Sequence, residues 1–258
     1  MKLILPPAVA SPAALREQAR LDALASYDVL DSPPEETFDR LTRLARRVFN
    51  VPMSTVTFID GHRQWFKSQQ GMTTCETDRE PAFCNMAIQL PDALIVPDAT
   101  LDERFSDNPF VRGEPYIRFY AGVQLRSPDG HAIGTLCTID TRPRSFSADD
   151  SATLAEMGGI ATDLLGLRRQ VSLAKRGNRP RSGDAHAVMK AGRLVFNRGK
   201  TSLRCTVRSL SPAGAAVDVM STAGIPDRVA LLIDSDATSR LCDIAAKAEQ
   251  RLELLFES

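Results

Sequence analysis

Apolar and polar positions along the chain follow two different periods. Apolar residues recur every three or four positions in residues 12–26 and again in residues 38–50, which predicts two amphipathic helices. Four later runs are rich in β-branched and aromatic residues and predict strands: residues 54–59, 64–67, 118–125 and 131–139. Residues 127–130 (SPDG) join the last two runs, and proline followed by glycine favours a tight hairpin turn there.

A long amphipathic helix is predicted from residue 148 to residue 176. Its apolar positions form a narrow seam: Leu154, Met157, Ala161, Leu164 and Leu167. A narrow seam is typical of a helix that pairs with another helix. We therefore expect a homodimer that forms through the helices flanking the strands.

The last third of the chain predicts only short strands. They cover residues 188–196, 203–207, 215–219, 229–233, 240–244 and 252–256. Six short strands without a long helix favour a small closed barrel, since closure removes exposed strand edges. The basic, Gly- and Pro-containing residues 177–187 indicate a linker. The predicted organisation is a flexible tail over residues 1–12, a first domain over 13–176 and a barrel over 188–258, in an α+β fold.

Composition and charge argue against a nucleic-acid-binding, membrane-spanning or metal-binding protein. The 258 residues are 43% hydrophobic and 25% charged, and 32 basic residues balance 32 acidic ones, so neither nucleic acid nor membrane is an expected partner. The longest uncharged run, residues 3–15, contains three prolines and is too short to span a bilayer. Five cysteines without a CxxC pair indicate a reducing, cytoplasmic location and no metal site.

The first domain resembles a GAF domain of the type fused to bacterial kinases and cyclic-dinucleotide enzymes. The resemblance covers about residues 17–170 and rests on segments in order: residues 30–41 (LDSPPEETFDRL), 63–68 (RQWFKS), 83–84 (FC), 102–105 (DERF), 108–109 (NP), 117–122 (IRFYAG) and 133–140 (IGTLCTID). It implies an antiparallel sheet with helices on one face and a small-molecule pocket on the other. It also implies sensing rather than catalysis, and it leaves the ligand unnamed.

Aromatic and basic residues of this domain are candidates for the pocket. We predict that it contains Trp65, Lys67, Phe83, Cys84, Arg118 and Tyr120, because a ligand site needs an apolar wall and a few polar groups. Arg63, Lys67, Arg79 and Arg118 could neutralise an anionic ligand. The structural alternative is that the aromatic residues, with Phe66 and Phe119, form core, and that Arg118 pairs with a carboxylate such as Asp102.

Cys84 has three interpretations: a buried structural cysteine, a redox or ligand contact, or a chromophore attachment site. Cysteines that anchor a bilin in GAF domains typically have an adjacent histidine, whereas Asn85 and Met86 follow Cys84. A thiolate nucleophile needs a lowered pKa and a resolving thiol, for which Cys75 is the sequence candidate. A GAF-type thiol-dependent methionine sulfoxide reductase therefore remains an alternative function.

The last domain resembles a PilZ domain, a small barrel receptor for cyclic di-GMP. The segments that carry the resemblance are residues 190–197 (KAGRLVFN), 205–215 (CTVRSLSPAGA) and 224–227 (GIPD). The family grips its ligand with an Arg-x-x-x-Arg segment before the barrel and an Asp/Asn-x-Ser-x-x-Gly motif within it. Guanidinium groups bind phosphate and stack on guanine, and glycine lets the ligand approach the backbone.

Both PilZ motifs are degenerate in this chain. The resemblance implies binding by seven residues: Lys175, Arg176, Arg179, Arg181, Ser209, Ser211 and Gly214. Ser209 stands where Asp or Asn is expected, and a lysine has no planar guanidinium. The basic residues could equally be a solvated linker or contact another polyanion. Ser211 and Gly214 could serve only the turn.

The sequence thus predicts a bacterial cytoplasmic signalling protein without catalytic activity. A GAF sensor is coupled to a PilZ-like cyclic di-GMP receptor, no cofactor is expected, and output passes through a downstream protein partner. The alternatives are a protein-interaction module whose barrel no longer binds nucleotide, and the Cys84-dependent reductase.

Overall fold

The computed structural model describes residues 11–176, 186–197, 199–236 and 238–257. Contacts divide the chain into two compact units. The barrel unit comprises Met1–Ala25, Asp60–His62 and Arg179–Ser258, and the sheet unit comprises Ser26–Ile59 and Arg63–Asn178. The predicted boundaries, 13–176 and 188–258, stay predictions, and most of the predicted linker and tail lies outside the described residues.

The described residues form helices and short strands that follow one another in a mixed order. In chain order they are α1 (Pro12–Ala25), α2 (Glu36–Val48), β1 (Met53–Ile59), β2 (Arg63–Gln70), β3 (Glu76–Asp78), α3 (Phe83–Ala87), β4 (Leu94–Val96), α4 (Pro109–Arg112), β5 (Phe119–Arg126), β6 (Ala132–Asp140), α5 (Ala148–Arg176), β7 (His186–Phe196), β8 (Thr201–Leu210), β9 (Gly214–Asp218), β10 (Arg228–Ile233), β11 (Thr238–Lys247) and β12 (Arg251–Phe256). This order confirms the predicted α+β class.

The sheet unit is built on an antiparallel sheet of six strands in the order β3-β2-β1-β6-β5-β4. Every residue of the two central strands, β1 and β6, is buried, because both faces of the sheet are covered. One face carries α2 and α5, which contact β1, β2, β5 and β6. The other face carries α3, and its core includes Phe83, Tyr120 and Cys137. This second face holds the cavity described below.

Helix α5 packs against β5, β6 and α2 within the sheet unit. Gly158 permits this packing, since a Cβ there would lie 2.6 Å from a methyl group of Val123. The predicted seam along α5 is therefore divided between two faces. Leu154, Met157 and Ala161 are buried against their own unit, whereas Leu167 is 62% exposed. The three buried seam residues are thus covered inside the unit, where α5 also contacts α2, and the expected homodimer stays a prediction.

The barrel unit contains a closed barrel with the strand order β10-β11-β12-β9-β8-β7. All six predicted strands are present, and alternate residues of each point into one apolar core that includes Cys205, Val217, Leu231 and Leu254. Helix α1 contacts β7 in the same unit, and Gln18 of α1 donates a hydrogen bond to the Met189 carbonyl at 2.8 Å. None of the helices in the described residues is long and apolar enough to cross a bilayer.

Candidate functional site

A cavity of about 200 Å³ lies on the α3 face of the sheet unit. Residues of β1, β2, β3, β5 and β6, of α3 and α4, and of the loops between them form its wall. They are Thr55, Gln64, Phe66, Gly71, Met72, Thr73, Thr74, Thr77, Ala82, Phe83, Cys84, Phe110, Glu114, Pro115, Ile117, Tyr120 and Ile139. Apolar walls of this size hold a molecule of about ten heavy atoms, since a 150 Å³ apolar cavity accepts benzene.

Three of the six predicted pocket residues line this cavity: Phe83, Cys84 and Tyr120. Trp65 and Lys67 do not, and the strand period explains why. Successive side chains of β2 alternate between the two faces, so Gln64 and Phe66 reach the cavity while their neighbours face α2. Sequence reasoning chose the wrong face of β2.

Lys67 belongs to an ion-pair network under α2. Its side chain is fully buried, and Nζ lies 2.7 Å from a carboxylate oxygen of Glu35 and donates to the Pro33 carbonyl at 2.6 Å. Glu35 also pairs with Arg168 of α5. Burial lowers the pKa of Lys67, and the Glu35 carboxylate partly offsets that effect. Lys67 is thus a structural cation rather than a ligand contact.

Arg118 also lies outside the cavity lining. Its guanidinium donates to the Val111 and Ile117 carbonyls at 2.9 and 3.1 Å. The predicted partner, Asp102, is instead bound by Arg104, with Nη2 2.6 Å from a carboxylate oxygen. Both predicted roles of Arg118, anion contact and partner of Asp102, are therefore corrected.

The charge of the lining differs from the expectation. Glu114 is the one charged residue among the lining residues of the described chain, and no lysine, arginine or histidine is among them. Arg63 pairs with Asp31 and Glu76 at 2.6 and 2.5 Å, and Arg79 donates to Asn85. The four cations that were expected to neutralise an anionic ligand therefore bind protein groups instead of lining the cavity.

Gln64 supplies an unused acceptor in the cavity wall. The residue is 7% exposed, and its Nε2 donates to Thr77 Oγ1 at 3.3 Å. Its Oε1 is buried and has no hydrogen-bond partner among the described residues. An unpaired buried acceptor costs free energy, and a ligand N–H or O–H would satisfy it. Sequence reasoning missed Gln64, although alternation with Phe66 could have indicated it.

Cys84 lies in the cavity wall at the start of α3, and its sulfur is 3.8 Å from that of Cys137 on β6. The Tyr120 hydroxyl donates to the Cys84 sulfur at 3.3 Å. Burial would raise the pKa of Cys84, but hydrogen bonds from Cys137, Thr135, Tyr120 and Thr57 outweigh it and lower that pKa to about 6. The hydrogen bond between Cys137 and Cys84, together with burial, holds the pKa of Cys137 well above its ordinary value.

In the predicted nucleotide motif on the barrel, Ser211 and Gly214 form hydrogen bonds with each other within one turn. The Ser211 hydroxyl accepts from the Gly214 N–H at 3.1 Å and donates to the Gly214 carbonyl at 3.2 Å. A Cβ on Gly214 would lie 2.1 Å from the Leu254 carbonyl oxygen, so the approach of β12 requires glycine. Ser209 lies on β8 opposite Ala216. Both Ser211 and Gly214 therefore have a structural reason to be present.

The basic part of the predicted nucleotide site falls outside the described residues. Arg179 and Arg181 lie there, as do the side chains of Lys175 and Arg176 at the end of α5. Within the barrel, Arg208 Nε lies 2.7 Å from Asp218, and Arg251 binds the same carboxylate at 2.7 Å. Burial would raise the pKa of Asp218, but these two guanidinium groups lower it.

The sheet unit therefore has an antiparallel sheet with α2 and α5 on one face and, on the other, a small cavity of the kind that holds small ligands. The chain belongs to the GAF domain family, whose profile matches residues 33–161.

Among curated proteins, a cyclic di-GMP phosphodiesterase of Pseudomonas aeruginosa is 39% identical over 139 residues. These residues make up 54% of this chain and 23% of the relative, so this chain spans about a quarter of that protein.

Two solved structures are similar to this chain. The GAF domain of an Acinetobacter phosphoenolpyruvate-protein phosphotransferase is 14% identical with a TM-score of 0.45, over 60% of this chain and 98% of that one. A free methionine-R-sulfoxide reductase of Neisseria meningitidis is 16% identical with a TM-score of 0.45, over 64% of this chain and 98% of that one.

Proposed function

We propose that this protein is a non-catalytic cytoplasmic signalling protein. The GAF cavity binds a small neutral or cationic molecule, and the barrel is a receptor for cyclic di-GMP. The main support for ligand binding by the GAF domain is the cavity itself, with its apolar wall and the unpaired Gln64 oxygen. The free state of all five cysteines supports a reducing compartment.

The cavity chemistry limits the class of ligand. Aromatic and aliphatic side chains favour an apolar body, and Gln64 Oε1 favours one N–H or O–H donor. A carboxylate or phosphate inside would lack a cationic partner and would lose several kcal/mol of hydration, on the order of its desolvation penalty. The same argument disfavours free methionine sulfoxide as a substrate, because its carboxylate would be unpaired.

Three observations support the assignment of cyclic di-GMP to the barrel. The barrel is closed and six-stranded, residues 205–215 resemble the PilZ motif, and one relative carries the name of a cyclic di-GMP phosphodiesterase. The competing function is a protein-docking barrel without nucleotide. It is favoured by the short side chain of Ser209 and by the Ser211 hydroxyl, which its own turn already uses.

Calorimetric titration of the full chain with cyclic di-GMP at near-physiological salt tests the receptor. We expect the wild-type chain to bind cyclic di-GMP. In the Arg179→Ala/Arg181→Ala variant, the dissociation constant should rise by at least about 10-fold for each charge-assisted contact that is lost. The matched control is Arg240→Ala, which removes one barrel cation that stacks on Phe256 outside both motifs. No heat with any of the three proteins would make the barrel a docking surface, whereas equal affinity of all three would refute the assignment of Arg179 and Arg181 to the nucleotide site.

We further propose that a second copy of the chain covers the outer face of α5. Apolar residues recur there with heptad-like spacing: Ile160, Leu164, Leu167 and Val171. Three of them are between 51% and 62% exposed, and this spacing is that of a helix-pairing seam.

Sedimentation of Leu167→Glu tests this dimer. A carboxylate in an apolar seam is costly to bury, so we expect the dimer dissociation constant to rise by about 100-fold. Gln170→Glu, which adds the same charge at an exposed position beside the seam, is expected to leave the dimer intact. A wild-type chain that sediments as a monomer would refute the proposal.

A further inference from the structure

Two of the five cysteines form a close pair inside the sheet unit. Cys84 and Cys137 lie on different elements, α3 and β6, and are separated by 53 residues in sequence, yet their sulfurs are 3.8 Å apart. Both are free and buried. A disulfide brings two sulfurs to about 2.05 Å, so a small approach of α3 to β6 would join them.

The two sulfurs differ in their access to the cavity. Cys84 is part of the cavity wall, whereas Cys137 is not among the lining residues and is fully buried behind it. A small molecule in the cavity therefore meets Cys84 first. Cys137 is placed to react with Cys84 afterwards.

Hydrogen bonds hold both sulfurs in position. The Tyr120 hydroxyl, at 3.3 Å from the Cys84 sulfur, stabilises negative charge on it. Thr55 Oγ1 lies 3.0 Å from the Cys137 sulfur. The lowered pKa of Cys84 and the raised pKa of Cys137 give the same assignment as the geometry: a nucleophile in the wall and a resolving thiol behind it.

We propose that Cys84 and Cys137 form a redox site in the cavity, which small hydroperoxides convert from two thiols into a disulfide. Such an oxidant is neutral and has an O–H donor, as the cavity chemistry requires. This site is independent of the receptor function assigned to the barrel.

The reaction balances with one hydroperoxide. The Cys84 sulfur attacks the terminal oxygen, the O–O bond breaks, and the other oxygen leaves with the proton of the Cys84 thiol, as an alcohol from an organic hydroperoxide or as water from hydrogen peroxide. Cys84 is then a sulfenic acid. Cys137 attacks its sulfur, the S–O bond breaks, and the hydroxyl leaves as water with the Cys137 proton. The two sulfurs lose two electrons, and the hydroperoxide gains them.

Peptide mapping of the reduced full chain after a brief exposure to about one equivalent of hydrogen peroxide tests the site. We expect a Cys84–Cys137 disulfide as the main product. Cys75 is the internal control, because it is exposed and lies outside the cavity. We expect the pair to react at least about 10-fold faster than Cys75, since a thiolate held by donors is the reactive species.

Variants separate the two roles. Cys137→Ser is expected to accumulate sulfenic acid on Cys84 that dimedone traps, whereas Cys84→Ser is expected to leave Cys137 reduced. The wild-type result stands even if a variant does not fold. Oxidation of Cys75 before the pair would overturn the proposal. So would oxidation of the pair by methionine sulfoxide but not by peroxide, which would assign the site to sulfoxide reduction.

Discussion

A tryptophan in place of Thr77 is expected to close the cavity and to lower the affinity for a small aromatic ligand by at least about 100-fold. Thr77 is half-buried on the edge strand β3 and lines the cavity, so a large side chain there has room to enter it. An indole side chain buries about 150–250 Å² and would take the place of the ligand. The variant fills an existing cavity but also removes the hydrogen bond from Gln64 Nε2 to Thr77 Oγ1, so we expect a loss of unit stability of about 1 kcal/mol at most.

Indole is the probe for this experiment, since it has an apolar body and one N–H donor. Its dissociation constant is measured by titration calorimetry on the full chain. Asp78→Trp is the matched control, because Asp78 is the next residue of β3, is exposed and does not line the cavity. Equal loss of affinity in both variants would refute a cavity site.

The same titration tests the ligand class. Tryptamine adds a cation to indole, and indole-3-acetate adds an anion at the same ring position. We expect indole and tryptamine to bind at least about 10-fold more tightly than indole-3-acetate, because no lining cation pairs with the carboxylate. Gln64→Leu should raise the dissociation constant for indole by about 10-fold, since it removes the acceptor for the indole N–H. Tighter binding of the anion would contradict the assignment.

Replacing Glu35 by glutamine is expected to destabilise the sheet unit by about 3–5 kcal/mol. The change leaves the fully buried ammonium of Lys67 without the Glu35 carboxylate and also removes the carboxylate that pairs with Arg168, although the hydrogen bond from Arg168 to the Asp28 carbonyl remains. Glu36→Gln is the control, because the neighbouring carboxylate pairs with exposed Arg40 and Arg43 at the surface. Unfolding in urea is followed by fluorescence of Trp65, the single tryptophan of the chain and a residue of this unit.

The destabilisation should depend on pH in a defined direction. Burial lowers the pKa of Lys67 in the folded state, and loss of Glu35 lowers it further. Between that folded pKa and the ordinary lysine value, the unfolded chain binds more protons, so stability rises with pH. The Glu35→Gln variant should therefore regain stability as the pH rises toward about 10. A pH-independent loss would show that Lys67 is not the group affected.

Local patterns predicted most of the fold because packing agrees with them. The SPDG turn is present, with Gly130 at φ +84°, and α5 has the predicted bounds. Strand β3 and helix α4 were missed because they have three and four residues and no period to detect. Helix α4 begins instead at a local cap, in which the Asn108 side chain accepts from the Phe110 N–H at 2.9 Å.

The candidate site was only partly predictable, because it depends on contacts between distant segments. The sequence shows that residues 63–68 contain aromatic side chains. The side of β2 that faces the cavity, however, depends on how β2 pairs with β1, and the register of that pairing shifts between Val56 and Thr57. The pairing of Cys84 with Cys137 depends on α3 lying against β6. Cys75, the sequence candidate for the resolving thiol, is exposed instead.

The most direct test of the sensory cavity is an isotope-filtered NOE measurement on the methyl-labelled full chain with indole. A ligand in the cavity would give intermolecular NOEs from indole to the methyl groups of Ile117 and Ile139, both of which line the cavity, and we expect to observe them. These NOEs should vanish in the Thr77→Trp variant. NOEs confined to methyl groups of the barrel core, such as Leu194 and Val217, would contradict a sensory role for the cavity.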